Sequence, residues 1–140
     1  MTASVSCYLI LEKEGKILLS LRKNTGYYDE SWSFPAGHVE MGESASFAMA
    51  REAKEEIGIE IDPSNLKPVH IIHRQSNRLN VDIFFHCSSW KGKIENKELD
   101  KCEKLQFFSV SDLPKNFMTY NADVLQFIFQ GQFYSELGWE

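Results

Sequence analysis

The chain has 140 residues, 43% of them hydrophobic and ten of them phenylalanine, which suits one folded domain (1–140) with a sizeable core and excludes a disordered or low-complexity segment. A net charge of −5 excludes a global positive field, so nucleic acid is not an expected partner. No apolar run approaches membrane-spanning length, MTASVSCYLIL lacks the basic start of a signal peptide, and Cys7, Cys87 and Cys102 form no CxxC pair; a cytoplasmic protein, monomer or homodimer, is expected.

Ser4–Leu11 reads as a strand rich in Val, Ile, Leu and Tyr, EKEGK (12–16) as a turn, and Ile17–Arg22 as the partner strand. Asn24–Ser31 is a polar loop with aromatic content. Trp32–Phe34 is a short strand that Pro35 interrupts. A helix is predicted from about Ser46 to Ile57, with Ser44 as N-cap and Gly58 at the C-terminal glycine position. Its apolar face is Met49, Ala50, Ala53 and Ile57, so one side packs and the other is left for charge. Pro68–Arg74 and Leu79–Ser88 are further strands around the turn QSNR. Trp90–Lys104 is a charged loop, Leu105–Val110 a strand, and Asn121–Gln130 a second helix that Gly131 ends. Strands on both sides of one helix, with a second helix late, give an α/β fold.

The densest information lies between Gly37 and Ile59, GHVEMGESASFAMAREAKEEIGI. On the predicted helix Glu52, Glu55 and Glu56 stand at i, i+3 and i+4, so three carboxylates share a face. Like charges at that spacing repel by about 0.2–0.5 kcal/mol per pair, a cost that a bound cation would offset. Hard cations such as Mg²⁺ take oxygen ligands and are commonly held by a few carboxylates together with substrate phosphates. A solvated helix face paired with Arg51 and Lys54 is the competing reading of an isolated EAKEE string.

The same stretch resembles the Nudix box: Gly, five residues, Glu, seven residues, Arg-Glu, an aliphatic, any residue, Glu-Glu, any residue, Gly, an aliphatic. Gly37, Glu43, Arg51, Glu52, Glu55, Glu56 and Gly58 fill every fixed position, and Ala53 and Ile59 the aliphatic ones. Such a match arises by chance on the order of once in 10⁸ windows. WSFPAG (32–37) and FFSVSDLP (107–114) extend the resemblance, less specifically.

The resemblance implies a Nudix fold, an α/β/α sandwich with a curved mixed sheet, and a hydrolase that uses Mg²⁺ or Mn²⁺. It implies that Glu52, Glu55 and Glu56 coordinate metal and help activate water, that Arg51 orients a carboxylate with Glu43 as its structural partner, and that the Gly37 carbonyl joins the metal ligands. A further ligand outside the box is expected from the charged loop, Glu98 first and Glu103 second. Arg22 and Arg74 end strands where a phosphate contact or a plain surface charge would each fit. Asn121 is either a base-reading residue or a helix cap. His73 reads as a structural histidine.

The expected substrate is a small nucleotide or nucleoside diphosphate derivative. A nucleoside triphosphate pyrophosphohydrolase of the MutT type is preferred, because no proline lies between Pro68 and Pro114 and no tyrosine between Tyr28 and Tyr120, features that would favour ADP-ribose or dinucleoside polyphosphate members. The alternatives are hydrolysis of ADP-ribose or a similar compound, a non-catalytic nucleotide-binding module, and, more remotely, an isomerase of isoprenyl diphosphates.

Overall fold

The computed structural model describes residues 2–139. Its strands are β1 (Ala3–Lys13), β2 (Lys16–Arg22), β3 (Trp32–Ser33), β4 (Ala36–His38), β5 (Lys67–Gln75), β6 (Leu79–Cys87), β7 (Cys102–Ser109) and β8 (Tyr134–Leu137). The helices are α1 (Ala45–Ile57), between β4 and β5, and α2 (Thr119–Phe129), between β7 and β8, with a single 3₁₀ turn at Pro63–Asn65. The sheet is mixed and ordered β3-β2-β1-β6-β5-β8, with β4 on β1 and β7 on β2.

β1 organises the molecule. It runs parallel to β6 from Ala3↔Leu79 to Leu11↔Cys87, antiparallel to β4 at Ser6↔His38, Cys7↔Gly37 and Tyr8↔Ala36, and turns into β2 at Lys13↔Lys16. Because successive side chains of a strand face opposite sides, it feeds two cores. Cys7, Leu9 and Leu11 pack with Ala48, Met49, Ala53 and Ile57 of α1, and Tyr8 and Ile10 pack with Val124 and Leu125 of α2. Helix, sheet and helix thus form three layers, as expected from the sequence.

The helix α1 forms where local signals put it. Ser44 Oγ accepts from the Phe47 N–H at 3.2 Å, and Gly58 ends the helix in the left-handed region at φ 74°, its N–H bonded to Lys54 O. Fully burying a side chain such as Met49 or Ile57 contributes roughly 1.5–3 kcal/mol, which anchors the apolar side of the helix and fixes where its carboxylates point.

Several boundaries differ from expectation. β1 is longer at both ends, and β7 starts at Cys102 rather than Leu105, inside the loop read as irregular. α2 starts at Thr119, so Asn121 lies inside its first turn and is not its cap; the N-cap position is Met118. The strands β4 and β8 were not expected at all.

Candidate active site

The hub is Arg51. Its Nε and Nη2 donate to the two oxygens of Glu43, at 3.1 and 2.8 Å. Its Nη1 donates to Glu52 Oε1 at 3.0 Å and to Glu55 Oε2 at 3.2 Å, and Nη2 also reaches the His38 carbonyl at 3.2 Å. One planar guanidinium therefore joins the loop before α1 to two glutamates on it, a fork geometry that lysine lacks. Glu43 also accepts the Glu40 N–H at 2.8 Å, and these bonds, Arg51's foremost, hold its carboxyl below the usual range.

Gly37 lies against this network. A β-carbon on residue 37 would fall inside the Glu52 carboxyl group, so strand β4 passes α1 at a distance only glycine allows. The requirement is close approach rather than positive φ. The Gly37 carbonyl accepts from the Cys7 thiol at 3.5 Å, and burial pushes that thiol up, followed by the nearby charges of Glu52 and Glu56. Cys7 is a core residue under the site and no nucleophile.

Glu56 is the half-buried member of the acidic group whose carboxyl is most strongly perturbed. Desolvation raises its carboxyl to about 10, reinforced by a hydrogen bond and charge from Glu52, then by Glu98 and Glu55. Glu98, from the charged loop, is raised as well, by burial first and then by Asp100, Glu52 and Glu55. The loop reaches the helix by backbone pairing, Glu95 N–H to Ile57 O and Lys97 N–H to Glu56 O, both 2.9 Å. Glu98 and Glu56 line one cavity of about 430 Å³ together with Arg22, His38, Lys101 and Cys102. Glu103 points elsewhere and pairs with Lys23 at 3.2 Å.

This donor set suits a hard divalent cation. Glu52, Glu56 and Glu98 supply only oxygen, and their mutual repulsion is what a cation would relieve. Among the described residues no three His, Cys, Asp or Glu side chains converge into a finished cage. The reason is visible: Glu52 and Glu55 each give an oxygen to Arg51.

A second cavity of about 440 Å³ adjoins the first and shares Arg22, Ala36 and His38 with it. It opens on the α2 side of the sheet and is lined by Tyr8, Tyr27, Tyr120, Arg74 and Arg78 among others. Arg22 thus faces both cavities, and among the described residues it has no carboxylate partner within 4 Å. Arg74 does not face the glutamates. It makes a two-pronged pair with the fully buried Asp82, Nε to Oδ2 at 2.7 Å and Nη2 to Oδ1 at 3.2 Å, and lies over the Tyr120 ring. Asn121 is fully buried and does not line the cavity, although its neighbour Tyr120 does. Its Oδ1 accepts the Phe34 N–H at 3.0 Å, while its Nδ2 is buried without a partner. His73 lies against Trp139, and its carbonyl accepts the indole N–H at 3.0 Å. Tyr8, Tyr27 and Arg78 escaped the sequence reading; the only trace was the aromatic content of the 24–31 loop.

Comparison with known proteins agrees with this geometry. The model of the NUDIX domain matches residues 1–127. Over 107 residues the chain is 35% identical to an ADP-ribose pyrophosphatase of Methanocaldococcus jannaschii, covering 76% of this chain and 62% of that one. It is 29% identical over 89 residues to an 8-oxo-dGTP diphosphatase of Buchnera aphidicola, covering 64% of this chain and 66% of that one. The matched stretch thus spans less than two-thirds of either relative. The crystal structure of a MutT NUDIX hydrolase from Burkholderia pseudomallei superposes with a TM-score of 0.82 at 24% identity, covering 90% of this chain and 98% of that one. No helix among the described residues is long and apolar enough to cross a membrane.

Proposed function

The chain belongs to the Nudix family, and we propose that it is a hydrolase of pyrophosphate bonds that cleaves nucleoside triphosphates to the monophosphate and pyrophosphate, using Mg²⁺ or Mn²⁺. The observation that carries this reading is the pair of adjoining cavities, one holding Glu56 and Glu98 and one lined by tyrosine and arginine, with Arg22 between them. A ligand anionic at one end and planar at the other matches that division.

Glu52, Glu55, Glu56 and Glu98, with the Gly37 carbonyl, would hold the metal; when bound, it neutralises phosphate charge and lowers the pKa of its water. The chain's own residues do the rest. Arg51 fixes Glu52 and Glu55 in place and ties them to the loop through Glu43. Glu56, which lines the first cavity beside Glu98, is placed to accept a proton from an attacking water when it is ionised as a metal ligand. Arg22 meets the phosphates where the cavities join. In the second cavity Tyr120 and Arg74, stacked on each other, form the wall against which a base would rest. Asn121, fully buried outside the cavity lining, supports this end from the core by holding the Phe34 N–H through its Oδ1.

The M. jannaschii relative favours one competitor, a diphosphate linking a nucleoside to a sugar. A panel of nucleoside triphosphates and ADP-ribose, incubated with Mg²⁺ and scored for product identity, separates the two. The account expects kcat/KM to be highest for a triphosphate. Efficient cleavage of ADP-ribose with every triphosphate ignored refutes it.

A further inference from the structure

The loop between β2 and β3 is tied to the second cavity through one side chain. Tyr27 donates its hydroxyl to Tyr120 Oη at 3.2 Å, and the Tyr120 hydroxyl meets that of Tyr8 at 2.9 Å. Three tyrosines from the loop, from α2 and from β1 thus form one hydroxyl chain along the cavity wall. The Tyr27 main chain is held as well: Arg22 Nε donates to its carbonyl at 2.9 Å, and the Arg22 guanidinium lies 5.8 Å from the centre of its ring. Tyr28 stands edge-on to both Tyr27 and Tyr120.

The loop has a rigid frame of its own. The Asp29 carboxylate accepts from Thr25 N–H, Thr25 Oγ1 and Gly26 N–H at 3.0, 2.6 and 2.9 Å, and three non-glycine residues, Asn24, Tyr28 and Glu30, take positive φ. Side chains rarely adopt that conformation unless surrounding contacts enforce it. Yet Tyr27 itself remains 44% exposed, so packing alone does not account for its placement.

We propose that Tyr27 is a specificity-determining latch: anchored on Tyr120, it covers the organic end of the substrate and, through Arg22, couples that end to the phosphates. This deepens the nucleotide reading above and rests on it. The occupant is a planar, aromatic group, because the wall offers tyrosine rings and the guanidinium planes of Arg22 and Arg74, surfaces on which such a group stacks. A ligand that is phosphate alone gains nothing from the latch.

The test compares a nucleoside triphosphate, as substrate, with inorganic triphosphate, as inhibitor. Tyr27→Ala is expected to raise KM for the nucleotide about tenfold or more with kcat within about twofold, and to leave the inhibition constant of inorganic triphosphate unchanged. Tyr27→Phe keeps the ring but loses the tie to Tyr120, and should raise KM several-fold, in the range of one lost hydrogen bond. Tyr120→Phe should do the same, and the double variant should be no worse than either single one. Thermal melting establishes that each variant is folded. Wild-type KM in Tyr27→Ala, or equal weakening of inorganic triphosphate, overturns the latch. If the wild-type enzyme instead cleaves only a diphosphate-linked nucleoside, the triphosphate reading falls and the same KM comparison on that substrate, against inorganic pyrophosphate, decides the latch separately.

Discussion

Gly37 and Glu52 occupy adjoining space so closely that a single added methyl group on residue 37 would coincide with the Glu52 carboxyl. The contact joins β4 to α1 and sets where a proposed metal-binding carboxylate stands. Gly37→Ala should therefore act on chemistry more than on the fold, because the group it would displace is the Glu52 side chain, which can swing away. Misplacing a catalytic group by about 1 Å costs on the order of 100-fold, and a loss of kcat of that size is expected with circular dichroism unchanged. Wild-type turnover in Gly37→Ala would show that Glu52 has no fixed position to lose.

Arg51→Lys keeps the charge and loses the fork. Lysine cannot span Glu43, Glu52, Glu55 and the His38 carbonyl together, as Arg51 does. Steady-state kinetics should show kcat lowered by about 100-fold or more with a smaller change in KM. Unchanged kcat would reduce Arg51 to an ordinary ion pair.

Divalent cation should stabilise the fold as well as support turnover, since it relieves repulsion between Glu52, Glu56 and Glu98. Differential scanning fluorimetry is expected to show Tm rising with millimolar Mg²⁺ in the wild type, and a smaller rise in Glu56→Gln, which should also lose roughly 100-fold or more in turnover. Equal Mg²⁺ shifts in both would place the cation elsewhere.

His70 gives a pH signature away from the site. It is fully buried, its Nδ1 donates to the Gln132 carbonyl at 2.9 Å, and its Nε2 lies 2.8 Å from Ser135 Oγ. Desolvation lowers its pKa below the ordinary 6.5, only partly opposed by the Gln132 bond. The unfolded chain then takes up a proton before the folded one does. The stability is fully present above pH 6.5 and is lost as pH falls from there through the folded pKa. The Tm of the wild type should fall between about pH 7 and 5, and His70→Gln should flatten that part of the profile. An identical slope in both would assign it to other groups.

What was legible in the sequence was what local rules encode. Ser44, Gly58 and the 3.6-residue spacing of Met49, Ala53 and Ile57 define α1 from within, and the same spacing puts Glu52, Glu55 and Glu56 on one side of it. β4 and β8 were not legible, because nothing within three or four residues specifies them. β4 exists through pairing with Ser6, Cys7 and Tyr8, and β8 through Ile71–Arg74 of β5. The role of Arg74 was hidden for a similar reason. Asp82 meets it across a hairpin, by register, and no charge spacing along the chain announces that pair. The second cavity gathers Tyr8, Tyr27, Arg78 and Tyr120 from four distant segments, which only the assembled sheet brings together.

Product stoichiometry tests the central claim most directly. A single nucleoside triphosphate is incubated with the enzyme and Mg²⁺ and followed by ³¹P NMR, with a parallel sample in excess chelator. The account predicts monophosphate and pyrophosphate in equal amounts, no orthophosphate, and no turnover in chelator. A diphosphate with orthophosphate as products, or full activity in chelator, would contradict it.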